Sequence, residues 1–184
     1  MRKVVANFFI SLDGVVERPD QWHFPYFNDE MGQAVGAGMA ASDTMLLGRR
    51  TYEEFAAFWP SQTEPPADHM NTTSKIVVSN TLTSADWQNS RIVRGEDLAS
   101  ELNRLKQQDG KNIGTVGSAT LVRSLLRDGL LDELHLLVHP LVVGAGKRLF
   151  EGETGKVPLT LLSSKTFGTG VVYLIYGRAA EPSA

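Results

Sequence analysis

The chain has 184 residues, 42% hydrophobic and 21% charged, with a formal net charge of −3. That length suits one domain with a sizeable core, and the balance excludes a disordered chain and offers no basic footprint for nucleic acid. Cysteine is absent, which excludes disulfides, thiolate nucleophiles and cysteine-ligated metals, and no apolar run is long enough to span a membrane. Residues 1–14 pair a basic start with a short apolar run. An acidic turn stands where a cleavage site would be, so they read as a first strand of a cytoplasmic protein.

Residues 4–10 form a nearly continuous apolar run, the pattern of a strand buried on both faces. After a loop rich in aromatics, Asn28 caps a helix whose first turn carries Asp29 and Glu30, favourable for the helix dipole. Residues 45–47 are a short strand ending at Gly48, residues 51–58 a helix closed by Pro60, and residues 61–73 a loop holding Pro65 and Pro66. A β-branched strand follows at 75–79. Leu98, Leu102 and Leu105 recur at helical spacing until Gly110 stops them. Residues 113–116 are a strand, and Ser118 caps a helix lined by Leu121, Leu125 and Leu126 that ends at Gly129. A long strand is expected at 134–143, and a hairpin joins 159–167 to 171–176 around Gly168-Thr169-Gly170. The alternation predicts an α/β fold, a mostly parallel sheet with helices on both faces and an antiparallel C-terminal edge. Residues 1–178 form one domain, with a frayed tail at 179–184.

In open α/β sheets, ligands bind beyond the carboxyl ends of strands, where helix N-termini present free N–H groups. Three junctions fit. Gly48-Arg49-Arg50-Thr51 runs from strand through glycine into a helix bearing two cations. Ser79-Asn80-Thr81 places small polar donors after a strand. Gly117-Ser118-Ala119 repeats the strand, glycine, helix pattern. Singly each is an ordinary turn with a good cap; in series they point to a nucleotide. Two sharper motifs fail. Gly36-Ala37-Gly38-Met39-Ala40-Ala41 matches G-x-G-x-x-A but lies inside a helix and follows no strand, so these read as small residues for close helix packing. Gly144-Ala145-Gly146-Lys147 lacks the first glycine of a P-loop, and Arg148 stands where a magnesium-binding hydroxyl belongs.

No metal site is expected. His135 and His139 are four apart on a predicted strand, about 13 Å between them and too far for one zinc. His23 and His69 lie in loops without ligand spacing. Among carboxylates, Asp29 and Glu30 read as solvated helix-start charge and Asp13 as turn chemistry or a reaction-mouth residue. Trp22, Phe24, Tyr26 and Phe27 either pin a loop to the core or wall a planar ring.

Ser11-Leu12-Asp13-Gly14, Leu47-Gly48-Arg49-Arg50-Thr51-Tyr52-Glu53, Lys75-Ile76-Val77-Val78-Ser79 and Val116-Gly117-Ser118 occur in order along the chain. With the runs 132–140 and 144–150, they resemble the dihydrofolate reductase-like superfamily. The nearest branch is that of stand-alone proteins similar to the reductase domain of the bifunctional riboflavin-biosynthesis deaminase-reductase. The resemblance implies a three-layer fold with a central sheet of about eight strands and an NADPH site across its carboxyl edge. It places Arg49 at the adenosine 2′-phosphate together with Ser79 and Asn80. Gly48, Arg50 and Thr51 fall at the helix start facing the pyrophosphate, and Gly117, Ser118 and Ala119 along pyrophosphate and nicotinamide. Trp22 and Phe27 are expected at the substrate, and Asp13 at the catalytic mouth. Where dihydrofolate reductases carry a carboxylate after Trp-x-x-Pro-x, this chain has Phe27.

The expected activity is NADPH-dependent hydride transfer to a small planar heterocycle of pterin or aminopyrimidine type. The alternatives are the aminopyrimidine reductase of riboflavin synthesis and a non-catalytic nucleotide- or drug-binding module. A homodimer is expected from the exposed edges of 134–143 and the terminal hairpin. A branched side chain at Gly117 is expected to block the cofactor and leave the fold intact.

Overall fold

The computed structural model describes residues 1–152 and 155–179; the last five residues of the expected tail lie outside them. Strands β1 (Val4–Ser11), β2 (Ser42–Gly48), β3 (Ser74–Val78), β4 (Ser90–Val93), β5 (Asn112–Thr115), β6 (Glu133–His139), β7 (Leu159–Thr166) and β8 (Val172–Arg178) join in one sheet, in the order β4-β3-β2-β5-β1-β6-β8-β7. The first six run parallel, while β8 pairs antiparallel with both β6 and β7. This is the expected α/β architecture with its antiparallel C-terminal edge.

Helices α1 (Asp29–Ala40), α2 (Arg49–Phe58), α3 (Ala67–Thr72), α4 (Leu98–Lys106) and α5 (Ala119–Arg127) provide the outer layers. Leu98, Leu102 and Leu105 of α4 and Leu121, Val122 and Leu125 of α5 join Val4, Ala6, Phe8, Leu46, Ile113 and Leu134 of the sheet in the largest core cluster. On the other face Met31 of α1 packs with Leu137, and Tyr52 of α2 with Met45 and Leu47. Fully buried side chains such as Leu102, Leu125 and Leu46 each contribute about 1.5–3 kcal/mol of transfer free energy.

Lys75, the second residue of β3, is fully buried. Its ammonium donates to the carbonyls of Asn71, Thr73 and Gln88 at 2.9, 2.8 and 3.1 Å and lies 4.1 Å from the Trp87 ring. Desolvation pulls its pKa down to about 8, yet three carbonyls match its three donors.

One strand was not foreseen and three expectations need correction. Strand β4 has only two apolar residues and exists through its parallel register with β3, from Lys75↔Ser90 to Val78↔Val93. The loop expected at 61–73 contains α3. Strand β6 stops at His139 rather than reaching 143, because Pro140 has no N–H for the ladder; β6 also lies between β1 and β8, so among the terminal strands only β7 is a free edge. Finally, Gly36 does not serve tight packing, whereas a Cβ at Gly38 would lie 3.8 Å from Asn7 Oδ1 of β1. Gly36 and Ala37 are exposed, a side chain at Gly36 would meet nothing within 4 Å, and Met31 is the helix's one buried residue.

Candidate active site

Strand lengths open the site. β1 pairs with β5 only through Ala6↔Thr115 but continues beside β6 to Ser11↔His139. β2 leaves β5 at Met45↔Gly114 yet stays with β3 to Gly48↔Val78. The short central strand β5 therefore leaves a notch in the carboxyl edge, and Val116-Gly117-Ser118 turns away inside it.

The helices that start at this notch interlock through their glycines. A Cβ on Gly48 would lie 2.7 Å from Ser118 Cβ and nearer still to its hydroxyl, and a Cβ on Gly117 would lie 2.8 Å from Thr51 Cγ2. The two N-termini thus meet with only the short side chains of Ser118 and Thr51 between them, which aims two helix dipoles at one place. Ser118 accepts this arrangement in the left-handed region, at φ 60° and ψ 74°, while its hydroxyl caps Leu121 N at 3.4 Å. Thr115 Oγ1, fully buried below, donates to Gly117 O at 3.1 Å. The Thr51 contact corrects the expectation for Gly117: a branched side chain there disturbs the start of α2 as well as any ligand path.

Beside this junction Ser79 is buried, and its Oγ accepts from Thr81 N and Leu82 N at 3.2 and 3.0 Å. Asn80 Oδ1 accepts from Gly95 N at 2.8 Å. Arg94, at the end of the strand that the sequence pattern hid, donates from Nη1 to Ser79 O at 2.9 Å and Leu82 O at 3.2 Å. Arg49 pairs with Glu53 at 3.4 Å, both nearly half exposed, and Arg50 is exposed.

At the other end of the notch the aromatic loop folds onto β1 and β6. His23 stacks on Phe9, with centroids 4.6 Å apart and planes within 7°, and meets Phe27 edge-on at 6.0 Å. Trp22 anchors the loop through Nε1, which donates to Glu17 O at 3.1 Å, and its ring lies edge-on to His139 at 5.2 Å. Phe27 is half exposed at the rim. His139 is fully buried; its Nδ1–H donates to Leu137 O at 2.8 Å, and its Nε2 has no partner among the described residues. His23 Nδ1 is likewise buried without one. Burial holds both imidazoles below the usual histidine pKa, and His139, with its centroid 6.3 Å away, further disfavours charge on His23. This pair was invisible to spacing because one member comes from a loop and the other from a strand 116 positions later (139 − 23). The signal was chemical: a histidine inside a cluster of aromatics.

Asp13 has a different setting. Its Oδ1 accepts from Ser11 Oγ at 2.6 Å and Val143 N at 3.0 Å, its Oδ2 accepts from Gly144 N at 2.9 Å, and Arg148 Nε donates to its backbone O at 2.8 Å. The Ser11 bond first, then the Val143 amide, lower its pKa to about 2. The carboxylate ties the turn after β1 to the 141–148 loop and has no proton to give at neutral pH. Glu30, read as solvated, instead accepts from Gly168 N at 2.7 Å and pairs with Lys165 at 3.2 Å, binding α1 to the terminal hairpin. Asp29 is exposed at the helix start, as expected.

A parallel sheet notched at its carboxyl edge, with two helix N-termini locked together in the notch, defines an α/β protein of the dihydrofolate reductase-like kind. The RibD C-terminal domain family matches residues 2–173, and the chain belongs to that family. Two Bacillus subtilis (strain 168) proteins are similar over nearly their whole lengths. YyaP is 28% identical, with 95% of this chain and 94% of the relative covered, and YwjB is 30% identical, with 97% and 99% covered. Among solved structures, the dihydrofolate reductase of Enterococcus faecalis complexed with NADP(H) superposes with a TM-score of 0.66 at 14% identity, covering 97% of each chain. Family and fold together are those of oxidoreductases of the riboflavin and pyrimidine type. No helix among the described residues is long and apolar enough to cross a membrane.

Proposed function

We propose that the chain is an NADPH-dependent reductase acting on a small planar heterocycle of pterin or aminopyrimidine type. The observation that carries the reading is the interlocked pair of junctions, Gly48 against Ser118 and Gly117 against Thr51. Side chains at either glycine would collide with Ser118 or Thr51 and push the two helix N-termini apart, so the glycines hold together two N-termini that would face a diphosphate. Gly48, Arg50, Thr51, Gly117, Ser118 and Ala119 would hold that diphosphate, and Arg49, Ser79 and Asn80 the adenosine phosphate. When bound, the cofactor supplies the hydride.

The residues of this chain orient and exclude. Trp22, Phe27 and the His23–Phe9 stack wall the end of the notch with flat apolar surface suited to a ring. Asp13 holds the turn after β1 against the 141–148 loop, fixing that wall. With Nδ1 buried and unpartnered, neutral His23 is best accommodated with its proton on Nε2, since a bare lone pair costs less than a bare N–H. It then offers a ring donor at the aromatic wall, where the N–H groups of Trp22 and His139 are committed to Glu17 O and Leu137 O. A homodimer formed through the free edge of β7, where Leu161 and Leu162 are both more than half exposed, belongs to the same reading, and light scattering checks it.

The function is tested by following NADPH absorbance with dihydrofolate, a dihydropterin, an aminouracil and a naphthoquinone as acceptors. Oxidation with a pterin or aminouracil supports the reading. Cofactor binding without turnover of any acceptor supports the alternative of a nucleotide-binding module.

A further inference from the structure

We propose that His23 is the catalytic acid of this site, delivering from Nε2 the proton that the substrate ring takes up together with the hydride. The inference rests on the reductase reading above and adds to it the source of the proton. Reduction of a ring C=N bond puts the hydride on carbon and moves the π pair to nitrogen, which then needs a proton. The carboxylates around the ring end of the notch do not supply it. Asp13 accepts from Ser11 Oγ, Val143 N and Gly144 N, and these bonds, the Ser11 one first, hold its pKa at about 2. Glu30 accepts from Gly168 N and pairs with Lys165, which keeps it ionised. Phe27 at the rim has no proton to give. His139 is sealed in the core with its one N–H spent on Leu137 O.

His23 is held ready for the task. Its ring lies flat against Phe9, and Phe27 meets it edge-on. Its backbone N donates to Pro19 O at 2.9 Å and its O accepts from Tyr26 N at 3.0 Å, so chain and ring are both fixed before a substrate arrives. Nδ1 is sealed in, whereas Nε2 is not and is committed to no group among the described residues. The sealed side shows how the ring holds a second proton. His139 Nε2 is a buried bare lone pair on a ring centred 6.3 Å away, and an N–H at His23 Nδ1 is the complement of such a lone pair. Desolvation, then His139, lower the His23 pKa below 6.5 and Asp20 opposes them; Phe9, Phe24 and Phe27 bring no charge. An imidazolium disfavoured in this way is a good acid. Its Nε2–H bond breaks as the ring nitrogen of the substrate gains the proton, leaving a neutral imidazole, the reduced ring and NADP+. Water returns a proton to His23 between turnovers.

The experiment measures kcat and KM between about pH 5 and pH 8.5 with NADPH and dihydrofolate, a dihydropterin or an aminouracil. Wild type is compared with His23→Phe, His23→Gln, Tyr26→Phe and Asp29→Asn, beside an NMR titration of the histidine ring protons without substrate. Wild-type kcat/KM is expected to fall about tenfold per pH unit above a midpoint below 6.5, and the His23 ring should titrate at that same midpoint, since kcat/KM reports the free enzyme. His23→Phe, which keeps the stack, and His23→Gln should each lower kcat about a hundredfold or more at the acid end and abolish the pH limb. KM and NADPH affinity should stay within about threefold. Tyr26→Phe and Asp29→Asn should keep the limb. A purely structural His23 would instead change KM or NADPH affinity and leave the limb in place. That result, an unchanged kcat, a limb lost with Tyr26 or Asp29, or an NMR midpoint away from the kinetic one overturns the assignment while wild type still reduces the ring. Wild type reducing none of the three acceptors would remove the reductase reading itself and the inference with it.

Discussion

Substituting Gly48 by alanine tests whether the two helix starts are interlocked as described. The new Cβ would sit 2.7 Å from Ser118 Cβ, about 1 Å inside ordinary carbon–carbon contact. Either α2 or α5 must move by that amount, or Ser118 must swing away and release Leu121 N. Overpacking costs about 1–3 kcal/mol and a lost cap about 1 kcal/mol, so Gly48→Ala should destabilise by about 2–4 kcal/mol. Ser118→Gly alone should be nearly neutral. It loses a long capping bond of 3.4 Å and relieves a left-handed residue that costs about 1–2 kcal/mol. The double variant removes both offending atoms, and the next neighbour of the new Cβ, Leu121 Cβ at 4.0 Å, is at ordinary distance. Urea denaturation of all four proteins closes the cycle, with a coupling of about 2 kcal/mol or more expected. A double variant no more stable than Gly48→Ala would refute the interlock.

The remaining predictions follow from the buried and clamped charges. Asp13→Asn cannot accept from both Val143 N and Gly144 N, so protease cleavage at 141–146 should accelerate; because the folded pKa of about 2 lies below the ordinary 3.8, the Asp13 contribution is present above pH 3.8 and disappears as pH falls towards 2. Unchanged proteolysis would deny the clamp. His23 and His139 have folded pKa values below 6.5, so the unfolded state binds more protons and stability should fall as pH drops below about 6.5. His23→Phe, which keeps the stack on Phe9, should show a shallower loss between pH 7.5 and 5.5, and an identical slope would contradict this. Lys75→Met leaves three carbonyls unpaired and should cost about 2–4 kcal/mol at pH 7. Since Lys75 titrates near 8 when folded and 10.5 when unfolded, the wild-type advantage should widen by about 3 kcal/mol between those pH values; a constant difference would show that the ammonium is not desolvated.

Much of the fold was legible because its signals are local. The apolar run of β1, the leucine spacing of α4 and α5, and the glycine-bounded terminal hairpin each carry their periodicity within a few residues. Strand β4 was not legible. An edge strand of Ser, Arg, Ile and Val has no pattern of its own and is created by its neighbour, Lys75 to Val78. That omission also hid Arg94, which reaches Ser79 O and Leu82 O only because β4 lies beside β3. The junctions at Gly48 and Gly117 were readable as strand-to-helix turns and that at Ser79 as small polar donors after a strand, and the parallel register brings all three to one edge. That Gly48 touches Ser118 was beyond reach, since the contact depends on β5 being short. The role expected of Asp13 rested on its place after β1; its partners Val143 and Gly144 lie 130 and 131 positions away, and nothing near Asp13 announces them. Gly38 faces Asn7 of β1 while Gly36 faces open space, a difference the sequence hides because small residues in a helix look alike whether they face a neighbour or solvent.

The claim at the centre of this account is that the notch at the carboxyl edge is an NADPH cradle. Isothermal titration of the wild-type protein with NADPH at pH 7.5, repeated with Gly117→Val, addresses it most directly. Saturable one-to-one binding in the micromolar range, at least tenfold weaker for NADH and lost in the variant, is the predicted result. Absence of NADPH binding, or equal affinity for both cofactors in wild type, would contradict it.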